Sequence, residues 1–171
     1  MDAVTLGKEA EKKIREWLEI PEDGNDFNRI PDQMTGFYGS KNICDFYMYK
    51  YPYMYYIESK ASFHDNMPFS MINEYQRTEM FKRSKIFGVK SVAVFLFATY
   101  KRAFILDIRD IQKQIDDPKG HKSLNISKIT KWPIPYVEIP AVPSRKQLLD
   151  YTGDFEELVS QLEGIRNIGT S

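Results

Sequence analysis

The chain is poor in the residues on which several common chemistries depend. It has one cysteine, Cys44, in 171 residues, which excludes an intrachain disulfide and fits a reducing compartment. Its two histidines, His64 and His121, lie far apart and show no ligand spacing around Cys44, so a zinc site and a Cys/His nucleophile both lack their parts. There is no glycine-rich phosphate loop. The longest wholly apolar run, Val92 to Ala98, is far shorter than the roughly 20 residues that span a bilayer. The opening stretch MDAVTLGKEAEKK has no apolar signal core. These absences predict a soluble, cytoplasmic protein without a membrane partner. Net charge is missing too, since 24 Lys and Arg balance 24 Asp and Glu, and this argues against a strongly basic nucleic-acid binder.

What is present describes one globular domain over residues 1–171, with a core over 5–150 and a C-terminal helix and tail over 151–171. The composition, 42% hydrophobic and 28% charged, is enough to bury a core. The charge is unevenly placed. Residues 77–131 hold 13 basic against 5 acidic side chains, a surplus of +8, while residues 1–76 carry −5 and residues 132–171 carry −3. A basic part beside an acidic one suits a metal site that serves a polyanion. An ordinary solvated surface explains the same count.

Periodicity predicts the elements. Leu6, Ala10, Ile14, Trp17 and Leu18 form one apolar stripe of a helix over 5–19, capped by Thr5 and ended by Pro21 and Gly24. Glu11 lies beside that stripe, either at the edge of the core face or solvated and paired with Arg15. Residues 21–41 read as loop, in which Arg29, Ser40 and Lys41 are candidates to contact phosphate. A second helix follows Pro68, with Ser70 as cap, Gly88 as stop and a core face of Met71, Ile72, Tyr75, Met80 and Phe81. Residues 91–98 read as a central strand covered on both faces, and AFILDI after Lys101-Arg102 as another. Residues 109–131 read as polar and basic, with a turn or exposed loop at PKGHKS. The proline-rich segment 132–143 reads as an extended edge, and 144–149 and 154–162 as short helices. The order α-β-β-α-β-β-α gives an α/β fold, a mixed β-sheet flanked by helices.

The organising stretch is CDFYMYKYPYMYYIESKA, residues 44–61. Two β-rich runs flank Tyr51-Pro52, and a turn centred there sets Asp45 opposite Glu58. Directly opposed residues have β-carbons about 5 Å apart. Two carboxylates that close repel, and a divalent cation between them supplies a reason for the arrangement. Glu58 and Lys60 share a face, because side chains alternate along a strand. An ammonium there can position an attacking water or stabilise developing negative charge. Asp, then Glu-x-Lys, with a helix Glu within reach, makes a sensible phosphodiesterase site. A surface hairpin with solubilising charges is the competing reading, and the residues alone leave the two near even.

With these residues in place, the chain resembles the RecU family of Holliday-junction resolvases, of the PD-(D/E)XK nuclease superfamily, known from Gram-positive bacteria and their phages. Gly7 and Glu11 match the family's Gly-x-x-x-Glu, and Asp45 with Glu58-Ser59-Lys60 matches its Asp and Glu-x-Lys at the same separation. MPFSMINEYQ ends in a Gln, Gln76, where the family has a functional one. AFILDI and GHKS are also similar to their family counterparts. The resemblance implies a restriction-endonuclease-like core, and Mg²⁺ or Mn²⁺ on Asp45 and Glu58. It implies catalytic roles for Glu11, Asp45, Glu58, Lys60 and Gln76, and a homodimer that nicks opposing strands of a four-way DNA junction. The family inserts a stalk before the Asp strand, where this chain has only residues 21–44. An endonuclease on non-junction DNA and a non-cutting DNA-binding module on the same fold are the alternatives. Lys82, Arg83, Lys101 and Arg102, in the basic segment, join Arg29, Ser40 and Lys41 as candidate DNA contacts.

Overall fold

An uninterrupted apolar strand needs cover on both faces, and the architecture is built around that need. The computed structural model describes residues 1–20, 24–30 and 41–169. In chain order the elements are α1 (Ala3–Leu18), β1 (Asp26–Arg29), β2 (Phe46–Lys50), β3 (Tyr53–Ser62), β4 (Asn66–Pro68), α2 (Glu74–Ser84), β5 (Val89–Phe97), β6 (Arg102–Asp107), α3 (Ile108–Asp116), β7 (Ser123–Asn125), β8 (Val137–Glu138), β9 (Ala141–Pro143), β10 (Leu149–Tyr151) and α4 (Phe155–Ile168). Among the described residues, six strands form one sheet in the order β1-β2-β3-β5-β6-β8. The β3–β5 pairing is parallel and the others are antiparallel, so the sheet is mixed.

Alternation sorts the side chains into two cores. On one face Phe46, Met48, Tyr55, Ile57, Val92, Val94 and Ile105 pack under α1 and α4. On the other, Ala93, Phe95, Phe97, Phe104 and Leu106 pack under α2 and α3. Both faces of β5 are therefore apolar, as its sequence requires. On β3, Ile57 belongs to the first core, so Glu58 and Lys60 point to the second face, toward α2.

The β2–β3 hairpin has the expected register, with Phe46 opposite Ile57 and Lys50 opposite Tyr53 around a cis Tyr51–Pro52 bond. Several boundaries differ from expectation. The first helix starts at Ala3, because the Asp2 carboxylate, rather than the Thr5 hydroxyl, caps it by accepting the Thr5 N–H at 2.7 Å. The second helix starts at Glu74, because Asn73 is its cap and residues 69–71 make only a 3-10 turn. Met71 and Tyr75 are consequently exposed instead of buried. Residues 108–116, read as polar segment, form α3, and residues 26–29, read as loop, form the edge strand β1. The expected helix over 144–149 is a short 3-10 turn at Arg145–Gln147, where Lys146 and Gln147 have positive φ, followed by β10. The last helix runs past 162 to Ile168. No helix among the described residues is long and apolar enough to cross a membrane.

Candidate active site

Asp45 stands one residue before β2, at the point where β2 and β3 stop pairing. Its Oδ2 accepts the Ser59 N–H at 2.7 Å, and its carbonyl accepts the Ile30 N–H at 2.8 Å. Backbone and side chain are thus both tied to neighbouring segments, which leaves the carboxyl little freedom. Across the hairpin, Glu58 is 0% exposed. Gln76, itself 8% exposed, donates from Nε2 to Glu58 Oε2 at 3.0 Å. The Asn73 cap places Gln76, since Asn73 Oδ1 accepts the Gln76 N–H at 2.9 Å. The first turn of α2, where backbone N–H groups carry partial positive charge, is thereby held beside Glu58.

The other oxygen of Glu58 is differently served. Lys60 Nζ lies 2.6 Å from Oε1 as an ion pair, so each oxygen of this buried carboxylate has its own partner. Burial foremost, then the charge of Glu58, pushes the Asp45 carboxyl up to about 8, against the opposing pull of the Ser59 N–H and Lys60. Burial also raises Glu58, although Lys60 and Gln76 work the other way. For Lys60, burial alone would lower the ammonium's pKa, but the carboxylates of Glu58, Asp45 and Glu11 together outweigh it and the net shift is upward. One ammonium therefore serves two carboxyls in a largely closed pocket. The remaining negative charge is met by a proton or by a cation.

The site reaches α1 through Glu11, whose charge is felt by Asp45, Glu58 and Lys60. Glu11 does not pair with Arg15. It takes Arg29 of β1 at 3.0 Å, and Arg15 instead approaches Glu19 at 3.8 Å. The structure thus gathers Asp45, Glu58, Lys60 and Gln76 directly, with Glu11 at the rim.

No family model and no curated protein matches the chain. Among solved structures it is similar to Hjc of Archaeoglobus fulgidus, a Holliday junction resolvase from an archaeal hyperthermophile, with a TM-score of 0.48 and 12% identity, over 71% of this chain and 89% of that one. A likeness of that size carries no argument about activity, which rests on the side chains.

Oxygen ligands in small number fit Mg²⁺ or Mn²⁺, which complete their shells with water and phosphate oxygens. Among the described residues no group of three or more His, Cys, Asp or Glu gathers at metal-holding distance, and Asp45 and Glu58 are the candidate donors. The other candidates lie outside this cluster. Ser40 is outside the described residues, and Lys41 sits with its Nζ 5.9 Å from the Tyr75 ring, near the start of α2. Lys82 and Arg83 both pair with Glu79, at 3.3 and 2.6 Å, and Arg102 holds Glu138 through two bonds of 2.6 and 2.8 Å. Lys101 is exposed on the β5–β6 turn. Sequence reasoning missed the pairing of Glu11 with Arg29, because the partner comes from a strand that was read as loop.

Proposed function

We propose that the protein is a divalent-cation-dependent DNA endonuclease that cuts branched DNA, with the four-way junction as substrate. The observation that carries the reading is the buried Glu58 carboxylate, held by Gln76 on one oxygen and by the Lys60 ammonium on the other, beside a second carboxyl on Asp45 whose pKa burial and Glu58 raise. The ordered set Gly7, Glu11, Asp45, Glu58-Ser59-Lys60 and Gln76, which resembles the junction-resolving nucleases, supports the choice of DNA and of the junction.

Asp45 and Glu58 would hold Mg²⁺ or Mn²⁺, which acidifies a bound water and stabilises charge on a phosphate when present. The chain's own groups divide the remaining work. Gln76 fixes Glu58 Oε2, and Lys60 holds Oε1. The Ser59 N–H orients Asp45. Lys60 keeps its proton, because its pKa is raised, and its ammonium offsets the negative charge that builds on the phosphate as water attacks. Glu11, steadied by Arg29, accepts a hydrogen bond from water at the rim. Two copies acting on a twofold-symmetric junction would place nicks on opposing strands.

The test is cleavage of a labelled four-way junction and of a linear duplex, each with Mg²⁺ and with EDTA. The expected result is nicking of the junction with Mg²⁺ alone, slowed at least ~100-fold by Asp45→Asn. Cleavage that ignores EDTA, or none under any condition, rejects the proposal. Equal rates on junction and duplex keep the endonuclease and replace its substrate, an outcome favoured by the short 21–44 connection.

A further inference from the structure

The helix α1 carries a second stripe beside the apolar one it buries. Gly7, Lys8, Glu11, Lys12 and Arg15 recur at spacings of three and four, so they lie along one face. Lys8, Glu11, Lys12 and Arg15, with Arg29 from β1, line a shallow cavity of about 250 Å³. Arg29 is committed to Glu11, and Arg15 approaches Glu19 only at 3.8 Å. Lys8 and Lys12 are exposed, and among the described residues neither has an ion pair or hydrogen bond.

This contrasts with the segment that charge counting singles out. In residues 77–131, Arg83 and Arg102 are matched by carboxylates, Arg109 is held by Asp107 and Glu163, and Lys122 is consumed by carbonyls at the end of α3. Lys85, Lys101, Lys113, Lys119, Lys128 and Lys131 of that segment are exposed as well. What sets Lys8 and Lys12 apart is that they share one cavity with Glu11, next to the candidate site.

Gly7 adds an independent observation. Inside a helix glycine costs about 1 kcal/mol relative to alanine. A β-carbon at Gly7 would nevertheless meet nothing within 4 Å. Packing against the described residues therefore gives no reason for glycine, and the bare backbone at the head of the stripe leaves room for something to approach closely. From Gly7 to Arg15 the helix rises roughly 12 Å, about the axial length of three to four nucleotides of one B-form strand.

We propose that this face of α1 is the ledge on which one strand of the substrate DNA lies. Lys8, Lys12 and Arg15 pair with successive backbone phosphates, Gly7 admits the strand, and Glu11 turns inward to the carboxyls. The inference rests on the nuclease reading and adds the side from which DNA enters.

The test is fluorescence anisotropy of a labelled duplex, in EDTA to suspend cleavage, titrated from 50 to 200 mM salt. Replacing three cations, Lys8→Gln with Lys12→Gln and Arg15→Gln, should reduce the slope of log affinity against log salt by about 2.7 and weaken binding about 100-fold at the low end. Removing three charges from the other segment, Lys113→Gln with Lys119→Gln and Lys128→Gln, all exposed, should leave the slope within ~0.5 of the wild-type value. An unchanged slope in the α1 variant overturns this proposal alone, since cleavage with Mg²⁺ and with EDTA reports the nuclease reading separately. If wild-type protein shows no salt-dependent affinity for DNA, the nuclease reading falls and takes this one with it. Should the triple variant fail to fold, Lys12→Gln alone must lower the slope by about 0.9, and a constant slope overturns the ledge.

Discussion

At the scale of single residues, Asp45 and Glu58 share one ammonium in a pocket that excludes most water, and the consequence is a proton. In the metal-free protein the Asp45 carboxyl is pushed up to about 8, through burial first and Glu58 second. An unfolded chain releases the same proton near pH ~3.9. The folded state thus holds a proton the unfolded state gives up. The stability this contributes is complete below the unfolded pKa and is lost as pH rises through about 8. Calorimetry of the metal-free protein should show the melting temperature falling from pH 5 to pH 9. Excess Mg²⁺ or Mn²⁺ should restore it, with more effect at pH 8 than at pH 6, because ligation needs the carboxylate. Asp45→Asn keeps the acceptor for the Ser59 N–H and carries no charge. It should melt above the wild type at pH 8 without metal, and its melting should not respond to metal. A metal response retained in that variant would remove Asp45 from the ligand set.

At the scale of elements, α1 shows what could be read in advance and what could not. Its buried stripe, Leu6, Ala10, Ile14 and Leu18, follows directly from the 3.6-residue period. The hairpin register was equally legible, since alternation and a turn centred at Tyr51-Pro52 leave one pairing that buries Phe46, Met48, Tyr55 and Ile57 together. The start of α2 was not, because Ser70 and Asn73 both suit a cap and only the bond from Gln76 to Asn73 decides between them. Nor was α3, whose apolar content is the narrow set Ile108, Ile111 and Ile115 within an otherwise polar segment. That Asp45, Glu58, Lys60 and Gln76 belong to one candidate cluster was legible, but the fixing of Glu58 by Gln76 was not, since a single Gln in a helix carries no signal until its partner strand is known. For α1 itself, Gly7→Ala should stabilise the fold by about 0.5–1 kcal/mol in urea denaturation. DNA affinity should fall in the same variant. A gain in stability without any loss of binding would assign Gly7 no part in the ledge.

At the scale of the whole molecule, the two cores meet across the sheet, and α4 closes the first of them with Phe155, Leu158, Val159 and Leu162. The Phe155 ring lies 5.5 Å from Trp17 of α1 and 5.2 Å from Tyr55 of β3. It therefore pins the helix that carries Glu11 to the strand that carries Glu58. Phe155→Ala should cost about 3–5 kcal/mol, read from the shift in denaturation midpoint. The folded fraction should still bind metal, because no ligand touches that ring. A cost below ~1 kcal/mol would mean that α4 is an accessory to the fold and not part of its core.

The parallel pairing of β3 with β5 bears on when the candidate site becomes complete. A nascent chain that has emerged only through Ser62 already contains Asp45, Glu58 and Lys60 on a hairpin that forms locally. It contains neither Gln76 nor the strand bearing Ala93 and Phe95, which lie beside Glu58 and Lys60 and shut out water. Long-range parallel pairing is the slower step, since the intervening loop must close first. If the protein is the nuclease proposed above, its cutting power would arrive late in biogenesis, with the finished fold, and an incomplete or misassembled chain would be harmless to the DNA around it.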